Sequence, residues 1–522
     1  MQSLRKHARR SSLGTIAAIL SMTAAPVLAQ PAARQSPARA TGTTPALEKK
    51  PNILLILVDD LKPAIRSYGD PVAVTPNIDR LVARGLRFDH AYANQAVCAP
   101  SRFNLMLGSR STSSGIYDFG QNLRAVYSNA VTLPQYLQQA GYHTESMGKV
   151  YHIGHGTHDD KLGWSVPHHK DHVIEYVLPQ STGGKPTREE ALFNEVPVED
   201  VENPSPYART LGRGAAWERA KVPDDAYADG RTAAYAIGRL RTLGKGTEPF
   251  FLAVGFARPH LPFSVPDRYW RLYDPAKLPI APFQEPPAGA PAYAGKAGGE
   301  IAAYREVPEG PIPGSQYPVS LQRQLIHGYY AGVSYTDAQI GKVLRELERS
   351  GLAKNTIVVL WGDHGYHLGD HGYWTKHTNY EQAVHIPLVF AGPGIRAGVE
   401  GTPAETVDLY PTLASLAGGA RPTGPQPIDG IDLSPVLHAA DAPLRSFAYH
   451  AYTRPGRIGQ AVRTDRYRLV RWTDVKTGGA DLELYDYQAD PLERRNLATE
   501  QKQVVQRLEA LLRQEPAPAA IR

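Results

Sequence analysis

The chain has 522 residues, of which 42% are hydrophobic and 21% are charged, and its formal net charge is +6 at pH 7. Four of the cationic residues lie in the first 29 positions, which hold no acidic residue, so the rest of the chain carries only +2. This near-neutral balance gives no case for nucleic-acid binding, and any affinity for a polyanion must come from a local pocket.

The N-terminus is predicted to be a signal peptide covering residues 1–29. Basic residues at positions 5, 6, 9 and 10 precede the mostly apolar run Leu13–Ala25, and Val27-Leu28-Ala29 supplies small residues before the cleavage point. The run is shorter than the ~20 residues that span a bilayer, so a cleaved leader is favoured over an anchor. We therefore expect a periplasmic or secreted protein without a membrane span, and Arg9-Arg10 also suggests the twin-arginine export route.

After the leader, residues 30–50 are rich in Ala, Pro, Thr and Gln, which predicts a disordered linker. From Pro51, short apolar runs alternate with helical patterns, so we expect an α/β domain over residues 51–440 with a mostly parallel sheet flanked by helices. The predicted strands are Ile53–Val58, Tyr142–Ser146, Phe250–Phe256 and Ile357–Trp361, and the predicted helices are Leu133–Ala140 and Asp337–Ser350, each closed by a glycine.

Two long segments interrupt this alternation. Residues 153–225 and 275–320 are rich in Pro, Gly, His and Tyr and have no clear period, which is typical of lids or binding loops. The first segment contains five histidines, at positions 155, 158, 168, 169 and 172, whose irregular spacing favours a solvated segment over a metal cluster.

Residues 441–522 are predicted to form a smaller C-terminal α+β subdomain built on an antiparallel sheet. Alternation of apolar and polar residues across Gln460–Trp472 predicts a hairpin, and the pattern of Gln501–Arg513 predicts a final helix. The sequence has no internal repeat.

Polar residues follow directly where the predicted strands end. They are Asp59 and Asp60, Lys149 and His152, His260, and Asp363 and His364. Ligands of open α/β sheets bind beyond the carboxyl ends of the strands, so we expect these side chains to meet in one site. Adjacent carboxylates repel unless a cation offsets them, and a third carboxylate from another strand indicates a hard-metal site. The alternatives are a turn and helix cap for Asp59-Asp60 and an ordinary turn for Asp363-His364.

The single cysteine stands at the head of Cys98-Ala99-Pro100-Ser101-Arg102. It cannot form an internal disulfide, and a thiolate metal site normally gathers two to four cysteines. A helix is predicted from near Pro100 to Gly108, which would put Cys98 at a helix N-terminus, where free amide hydrogens favour a bound anion. The alternatives are a buried thiol that fills apolar space and, for Arg102, an exposed side chain on a surface helix.

The frame Cys-x-Pro-x-Arg, with the strand-end residues and Lys376 in this order, resembles the formylglycine-dependent sulfatases of the alkaline-phosphatase-like superfamily. The runs Ala96-Val97-Cys98, Gly148-Lys149-Val150 and Phe251–Gly255 resemble the iduronate-2-sulfatase group in particular, and Glu483–Asp486 resembles the closing strand of the sulfatase C-terminal subdomain. The resemblance covers nearly the whole mature chain. It implies a large mixed, mostly parallel sheet flanked by helices and a smaller C-terminal subdomain.

The resemblance also implies the cofactors. A formylglycine-generating enzyme would convert Cys98 to 3-oxoalanine (formylglycine). Asp59, Asp60, Asp363 and His364 would bind one divalent cation together with an oxygen of the modified Cys98. Ca²⁺ is the expected ion, with Mg²⁺ or Mn²⁺ as alternatives, because an imidazole is unusual among calcium ligands.

For catalysis, the resemblance implies that the aldehyde hydrate at position 98 attacks the sulfur of a sulfate ester. Arg102 would hold the hydrate, Lys149 and Lys376 would clamp the sulfate, His260 would protonate the leaving oxygen, and His152 would assist the release of sulfate. The ordinary pKa of a histidine, about 6.5, suits the role of proton donor.

The expected substrate is a sulfated carbohydrate, namely a 2-O-sulfated uronate of a glycosaminoglycan or a related glycan. The alternatives are another carbohydrate sulfatase, a phosphodiesterase or phosphonate monoester hydrolase of the same superfamily, and a glycan-binding protein with unmodified Cys98. Tyr366 and Tyr373 replace the tryptophan and the glutamate that are usual in this group. Both are expected near the pocket mouth, where they would bear on sugar specificity.

Overall fold

A computed structural model describes residues 49–155, 157–170, 175–192, 210–310, 317–439 and 444–521. The predicted signal peptide, almost all of the predicted linker and His172 lie outside these residues. Within them, none of the helices combines the length and the apolar character needed to cross a bilayer.

The strands are numbered in chain order. They are β1 (Asn52–Val58), β2 (Leu86–Phe88), β3 (Ala91–Tyr92), β4 (His143–Gly148), β5 (Trp217–Ala220), β6 (Phe250–Phe256), β7 (Phe263–Pro266), β8 (Thr356–Gly362), β9 (Leu388–Ala391), β10 (Gly398–Glu400), β11 (Ala404–Glu405), β12 (Ala448–Arg454), β13 (Arg457–Arg463), β14 (Tyr467–Asp474) and β15 (Ala480–Asp486).

The largest sheet has the strand order β10-β2-β9-β8-β1-β6-β4. The neighbours from β4 through β6 and β1 to β8 are parallel, as are β10 and β2, whereas β9 runs antiparallel to both β8 and β2. Two short parallel pairs, β3 with β11 and β5 with β7, lie outside it. This confirms the predicted α/β class with a large mixed, mostly parallel sheet.

Helices cover both faces of this sheet. The longer ones are Pro76–Ala83, Cys98–Leu107, Leu133–Gln139, Ala228–Leu243, Val319–Arg349, Leu409–Leu416 and Lys502–Leu512. Short helices are Ser111–Ser114, Leu123–Val126, Pro179–Thr182, Arg188–Leu192, Asp267–Trp270, Glu381–Val384 and Ser434–His438. The helix predicted from Asp337 begins earlier, at Val319, inside the predicted loop 275–320. Its N-terminal part was missed because the helix is buried on most sides and therefore lacks a simple amphipathic period.

The central strand β1 is buried on both faces. Its alternate residues belong to two hydrophobic cores, Ile53, Leu55 and Leu57 to one and Leu54, Ile56 and Val58 to the other. A parallel strand covered on both sides carries a continuous apolar run, which is why the sequence pattern located it. Burial of each such side chain is worth roughly 1.5–3 kcal/mol, so the strand is a fixed support for the residues that follow it.

The C-terminal sheet is antiparallel, with the order β12-β13-β14-β15. One of its faces packs on the helix Lys502–Leu512, and Tyr452 and Trp472 on the other face cluster with Val97, the residue before Cys98. The predicted hairpin and final helix are confirmed, and β12 was not predicted. The boundary at residues 440 and 441 stays a prediction, because it lies outside the described residues.

The histidines of the first long loop are less solvated than predicted. His155, His168 and His169 are half-buried and contact neighbouring side chains, whereas His158 is exposed. The prediction of a solvated segment is therefore wrong for these three residues.

Candidate active site

The parallel sheet delivers charged residues to one edge. Asp59 follows β1, Asp363 follows β8 and Lys149 follows β4. The hydrogen bonds of the sheet continue into them, because the backbone N–H groups of Asp59, Asp363 and Lys149 donate to the carbonyls of Phe256 (3.1 Å), Val58 (3.1 Å) and Gly255 (3.0 Å). The register of the strands thus brings the three side chains together. A side chain at position 255 would clash with the backbone of Lys149, so glycine permits this close approach.

Asp60 has a left-handed backbone conformation, with φ of 57°. This conformation costs a residue other than glycine roughly 1–2 kcal/mol, although aspartate adopts it more readily than most. Two hydrogen bonds hold it, since the Asp60 N–H donates to Asp363 Oδ1 at 3.0 Å and the Tyr329 hydroxyl donates to the Asp60 carbonyl at 2.7 Å. The backbone of Asp60 is therefore tied to the neighbouring carboxylate.

Cys98 is the first residue of the helix Cys98–Leu107, which is buried throughout and ends at Gly108 with φ of 67°. The predicted helix is confirmed, although it begins at Cys98 rather than near Pro100. The Cys98 side chain is 1% exposed, and its Sγ lies 3.2 Å from His364 Nε2. Burial raises the pKa of the thiol well above its ordinary value, so the unmodified sulfur is a neutral, weak nucleophile at neutral pH.

Arg102 lies one turn along this helix and is fully buried, so the alternative of an exposed surface arginine is wrong. Its Nε and Nη2 donate to Asp363 Oδ2 at 3.1 and 2.9 Å, and Nη2 lies 3.4 Å from Asp59 Oδ1. Nη1 donates to the carbonyl of Val150 at 3.2 Å. The guanidinium therefore joins the helix to the ends of three strands.

Lys149 and Lys376 are the other two fixed cations, and both are largely buried. Lys149 pairs with Asp59, and Lys376 Nζ lies 3.3 Å from Asp60 Oδ1. Burial opposes the charge of each lysine, but the adjacent carboxylates raise the pKa of both above its ordinary value. Neither lysine is therefore in the solvated surface environment that is usual for this residue type.

His260 follows β6 and faces two carboxylates. Its Nδ1–H donates to the carbonyl of Leu261 at 2.5 Å, so Nε2 is the nitrogen that lies 3.3 Å from Glu300 Oε1 and 3.9 Å from Asp60 Oδ2. Burial lowers the pKa of His260 to about 3, although Glu300 favours the protonated ring. The expected ordinary pKa of about 6.5 is therefore wrong for this histidine as the site stands.

His152 lies in a patch of rings beside Lys149. Its Nε2 is 2.9 Å from His155 Nδ1, and the rings of both histidines pack on Phe119 at centroid distances of 4.8 and 4.9 Å. Burial and the Lys149 ammonium hold the pKa of His152 well below its usual range. The ring is therefore neutral at neutral pH.

Ligand atoms of the predicted metal residues and of His260, the predicted proton donor, lie in two overlapping groups, each within 4.8 Å. One group is Asp59, Cys98, Asp363 and His364, and the other is Asp60, Cys98 and His260. Asp60 is nevertheless near the first group, because its Oδ1 lies 3.2 Å from His364 Nδ1. Asp59 Oδ1 and Asp60 Oδ1 are buried and accept no hydrogen bond from a described residue. These oxygen-rich, incompletely bonded ligands fit a hard divalent cation.

The three aspartates of the site differ in pKa. Burial raises the pKa of Asp60 to about 7 and that of Asp363 well above its ordinary value, and the charge of Asp59 adds to both effects. Burial also disfavours the charge of Asp59, but Lys149, His260 and Arg102 hold its pKa well below the usual range. A divalent cation among them would favour the ionised form of all three.

Tyr366 and Tyr373 are both buried, and their place near the pocket mouth stays a prediction. Tyr366 is 1% exposed and its hydroxyl donates to the Trp374 carbonyl at 3.0 Å. Tyr373 is 6% exposed and its ring stacks on Tyr380. Both tyrosines support the segment that carries Lys376.

Glu300 is a site residue that the sequence analysis missed. It begins the short helix Glu300–Ala303, and its carboxylate bridges Lys376 Nζ at 2.9 Å and His260 Nε2 at 3.3 Å. The residue lies in a Gly- and Pro-rich loop without periodicity, so no local pattern points to it. Only the fold brings it to the strand ends.

Sequence comparison with known proteins agrees with the family resemblance of the motifs. The sulfatase family model matches residues 51–420, and a model of the C-terminal region of N-sulphoglucosamine sulphohydrolase matches residues 369–517. Human iduronate 2-sulfatase is 32% identical over 88% of this chain and 93% of its own length, and a sulfatase of Formosa agariphila is 30% identical over 89% of this chain and 86% of its own length.

Solved structures share the fold. A protein described as a 2-O GAG sulfatase superposes with a TM-score of 0.64 at 23% identity, covering 89% of this chain and 92% of its own. This likeness concerns the fold alone, whereas the family matches above extend over most of the sequence.

We predict that Arg102→Met lowers the free energy of unfolding by roughly 3–5 kcal/mol, because it leaves buried carboxylates without their cation. Arg84→Met is the control, since Arg84 pairs with Glu348 at the surface and both side chains are more than 40% exposed; its change should stay below ~1 kcal/mol. Urea unfolding of both variants measures the difference. Equal, small changes would show that Arg102 does not stabilise the site.

Proposed function

The chain belongs to the sulfatase family of sulfuric ester hydrolases, and on that premise we propose that it removes sulfate from a 2-O-sulfated uronate of a glycosaminoglycan or a related glycan. The observation that carries the choice of substrate is the 32% identity with human iduronate 2-sulfatase over 88% of the chain. The predicted site residues converge in the same region, which supports the proposal.

The nucleophile requires a modified Cys98. The buried, neutral thiol is poorly suited to attack a sulfate ester, and its place at the start of a helix provides amide hydrogens that favour an anion. Conversion by a formylglycine-generating enzyme would replace the sulfur by oxygen, and the hydrate of that aldehyde supplies the attacking oxygen. Arg102 donates to the Asp363 carboxylate and so fixes Asp363 relative to the helix that begins at residue 98.

Asp59, Asp60, Asp363 and His364 would hold a divalent cation with an oxygen of residue 98. When bound, the cation polarises the sulfate and neutralises developing charge. Lys149 and Lys376 orient the sulfate oxygens by charge, and their carboxylate partners keep both lysines protonated. The oxygen-rich ligand set favours Ca²⁺ or Mg²⁺.

His260 is placed to donate a proton to the leaving alcohol. Its Nδ1–H donates to the Leu261 carbonyl, so a proton that the ring takes up would sit on Nε2, which faces Glu300. Burial disfavours the charged ring, but a sulfate next to it would add a negative charge that favours protonation. Glu300 is therefore a positioning residue for the acid, and His152, which is neutral at neutral pH, is the proposed proton acceptor when sulfate leaves.

We predict that the purified protein, made together with a formylglycine-generating enzyme, releases sulfate from a 2-O-sulfated uronate disaccharide faster than from a 6-O-sulfated glucosamine. Cys98→Ala should abolish turnover because the nucleophile is gone. Cys98→Ser is the matched control, since its single hydroxyl could be sulfated but could not expel sulfate, so it should complete at most one turnover. A preference for an aryl phosphate diester over an aryl sulfate would contradict the proposal.

We also predict that chelation of divalent ions lowers the melting temperature and that one added ion restores it. A ligand at 100 times its dissociation constant stabilises the folded state by about 2.7 kcal/mol. Asp60→Asn, which removes a buried ligand charge, should weaken the ion-dependent shift. A melting temperature that responds neither to chelator nor to Ca²⁺, Mg²⁺ or Mn²⁺ would rule out the metal site.

A further inference from the structure

A second group of basic residues lies beside the sulfate-binding lysine. Lys296, from the loop that carries Glu300, donates from Nζ to Nδ1 of His377 at 3.1 Å. His377 directly follows Lys376 in the chain. Arg454, at the end of β12, lies against both segments. The group therefore joins the loop, the catalytic segment and the C-terminal sheet.

Arg454 fixes the backbone of this group. Its Nε donates to the carbonyl of Tyr293 at 2.6 Å, and its Nη2 donates to the carbonyls of Ala294 at 3.0 Å and His377 at 2.7 Å. The guanidinium also lies over the Tyr452 ring, 4.5 Å from its centroid. All these partners are neutral, and Arg454 takes part in none of the ion pairs among the residues that the structure describes.

Lys296 is half-buried and has no carboxylate oxygen within 4.0 Å among the residues described. The Glu300 carboxylate is occupied by Lys376 and His260. Burial and the charge of Arg454 lower the pKa of Lys296 below its ordinary value. A partly buried lysine is normally paired, so this one is placed to meet an anion from outside the protein.

His377 orients this charge. Because its Nδ1 accepts from Lys296, the neutral ring carries its proton on Nε2. No described residue accepts a hydrogen bond from that nitrogen. The Lys296 ammonium lies on the Nδ1 side of this ring and the Nε2–H points away from it, so Lys296 is the group that can meet the anion, and His377 orients the ammonium.

From this geometry we infer that Lys296, oriented by His377, forms a second anion subsite, which binds a carboxylate or a further sulfate on the same sugar substrate. The inference rests on the proposed function, because it assumes that Lys376 binds the sulfate that is removed. His377 adjoins Lys376 in the chain, so the two anions would be held side by side. The enzyme would then discriminate against sugars whose only charge is the scissile sulfate ester.

The test compares Lys296→Gln with the wild type on matched substrates. Lys277→Gln is the control, because Lys277 lies in the same loop and its side chain is 85% exposed. For a 2-O-sulfated uronate, Lys296→Gln should lower kcat/KM by ~10- to 100-fold, the loss expected for one charge-assisted hydrogen bond, mainly through KM. Lys277→Gln should leave it unchanged.

Two kinds of substrate show whether the subsite binds a carboxylate or a second sulfate. With a carboxyl-reduced substrate, Lys296→Gln and wild type should be equal if the subsite binds the carboxylate. If the loss persists only in substrates that carry a second sulfate, the subsite binds sulfate. An equal loss on every substrate, including a simple aryl sulfate, would overturn the inference and indicate a structural role.

Failure of the proposed function is distinguishable from failure of this inference. If wild type cleaves an aryl sulfate but no sulfated uronate, the proposed substrate is wrong. The subsite is then tested by inhibition of aryl sulfate turnover, with an unsulfated uronate and with inorganic sulfate as the two inhibitors. Weaker inhibition of Lys296→Gln than of Lys277→Gln by either anion supports the subsite, and equal inhibition by both refutes it.

Discussion

Mutual repulsion among three buried carboxylates is the constraint on which the site depends. Asp59 and Asp363 cannot move apart, because the parallel hydrogen bonds of β1, β6 and β8 continue into their backbones, and the Asp60 N–H donates to the Asp363 carboxylate. The sheet is in turn held by two hydrophobic cores, one on each face. Folding energy gained far from the site therefore offsets the cost of concentrating negative charge at the strand ends.

The repulsion is balanced by cations from different parts of the chain. Arg102 comes from the helix that starts at Cys98, Lys149 from the end of β4, and Lys376 from the segment after β8. All three are largely buried, and charges attract each other more strongly in the low-dielectric interior than in water. With a divalent cation added, the balance becomes favourable for an anion, which is what the hydrolysis of a sulfate ester requires.

The sequence analysis predicted most of the charged residues at the strand ends but few of the residues around them. The strands β1 and β6 and the charged residues after them were predictable, because doubly buried parallel strands have continuous apolar runs that end abruptly. Glu300 and Lys296 lie in an irregular loop, where only tertiary contacts give them a place. The pKa of His260 and the burial of Tyr366 were likewise not predictable, because both depend on packing between distant segments.

In the proposed mechanism, the strand ends supply the chemistry and the loops around them supply the specificity. The most direct test of the account is mass spectrometry of the tryptic peptide Phe88–Arg102 from protein made together with a formylglycine-generating enzyme and shown to release sulfate. The account predicts a peptide that is lighter than the thiol form and reacts with an aldehyde-specific reagent. Active protein with only the intact thiol at Cys98 would contradict it.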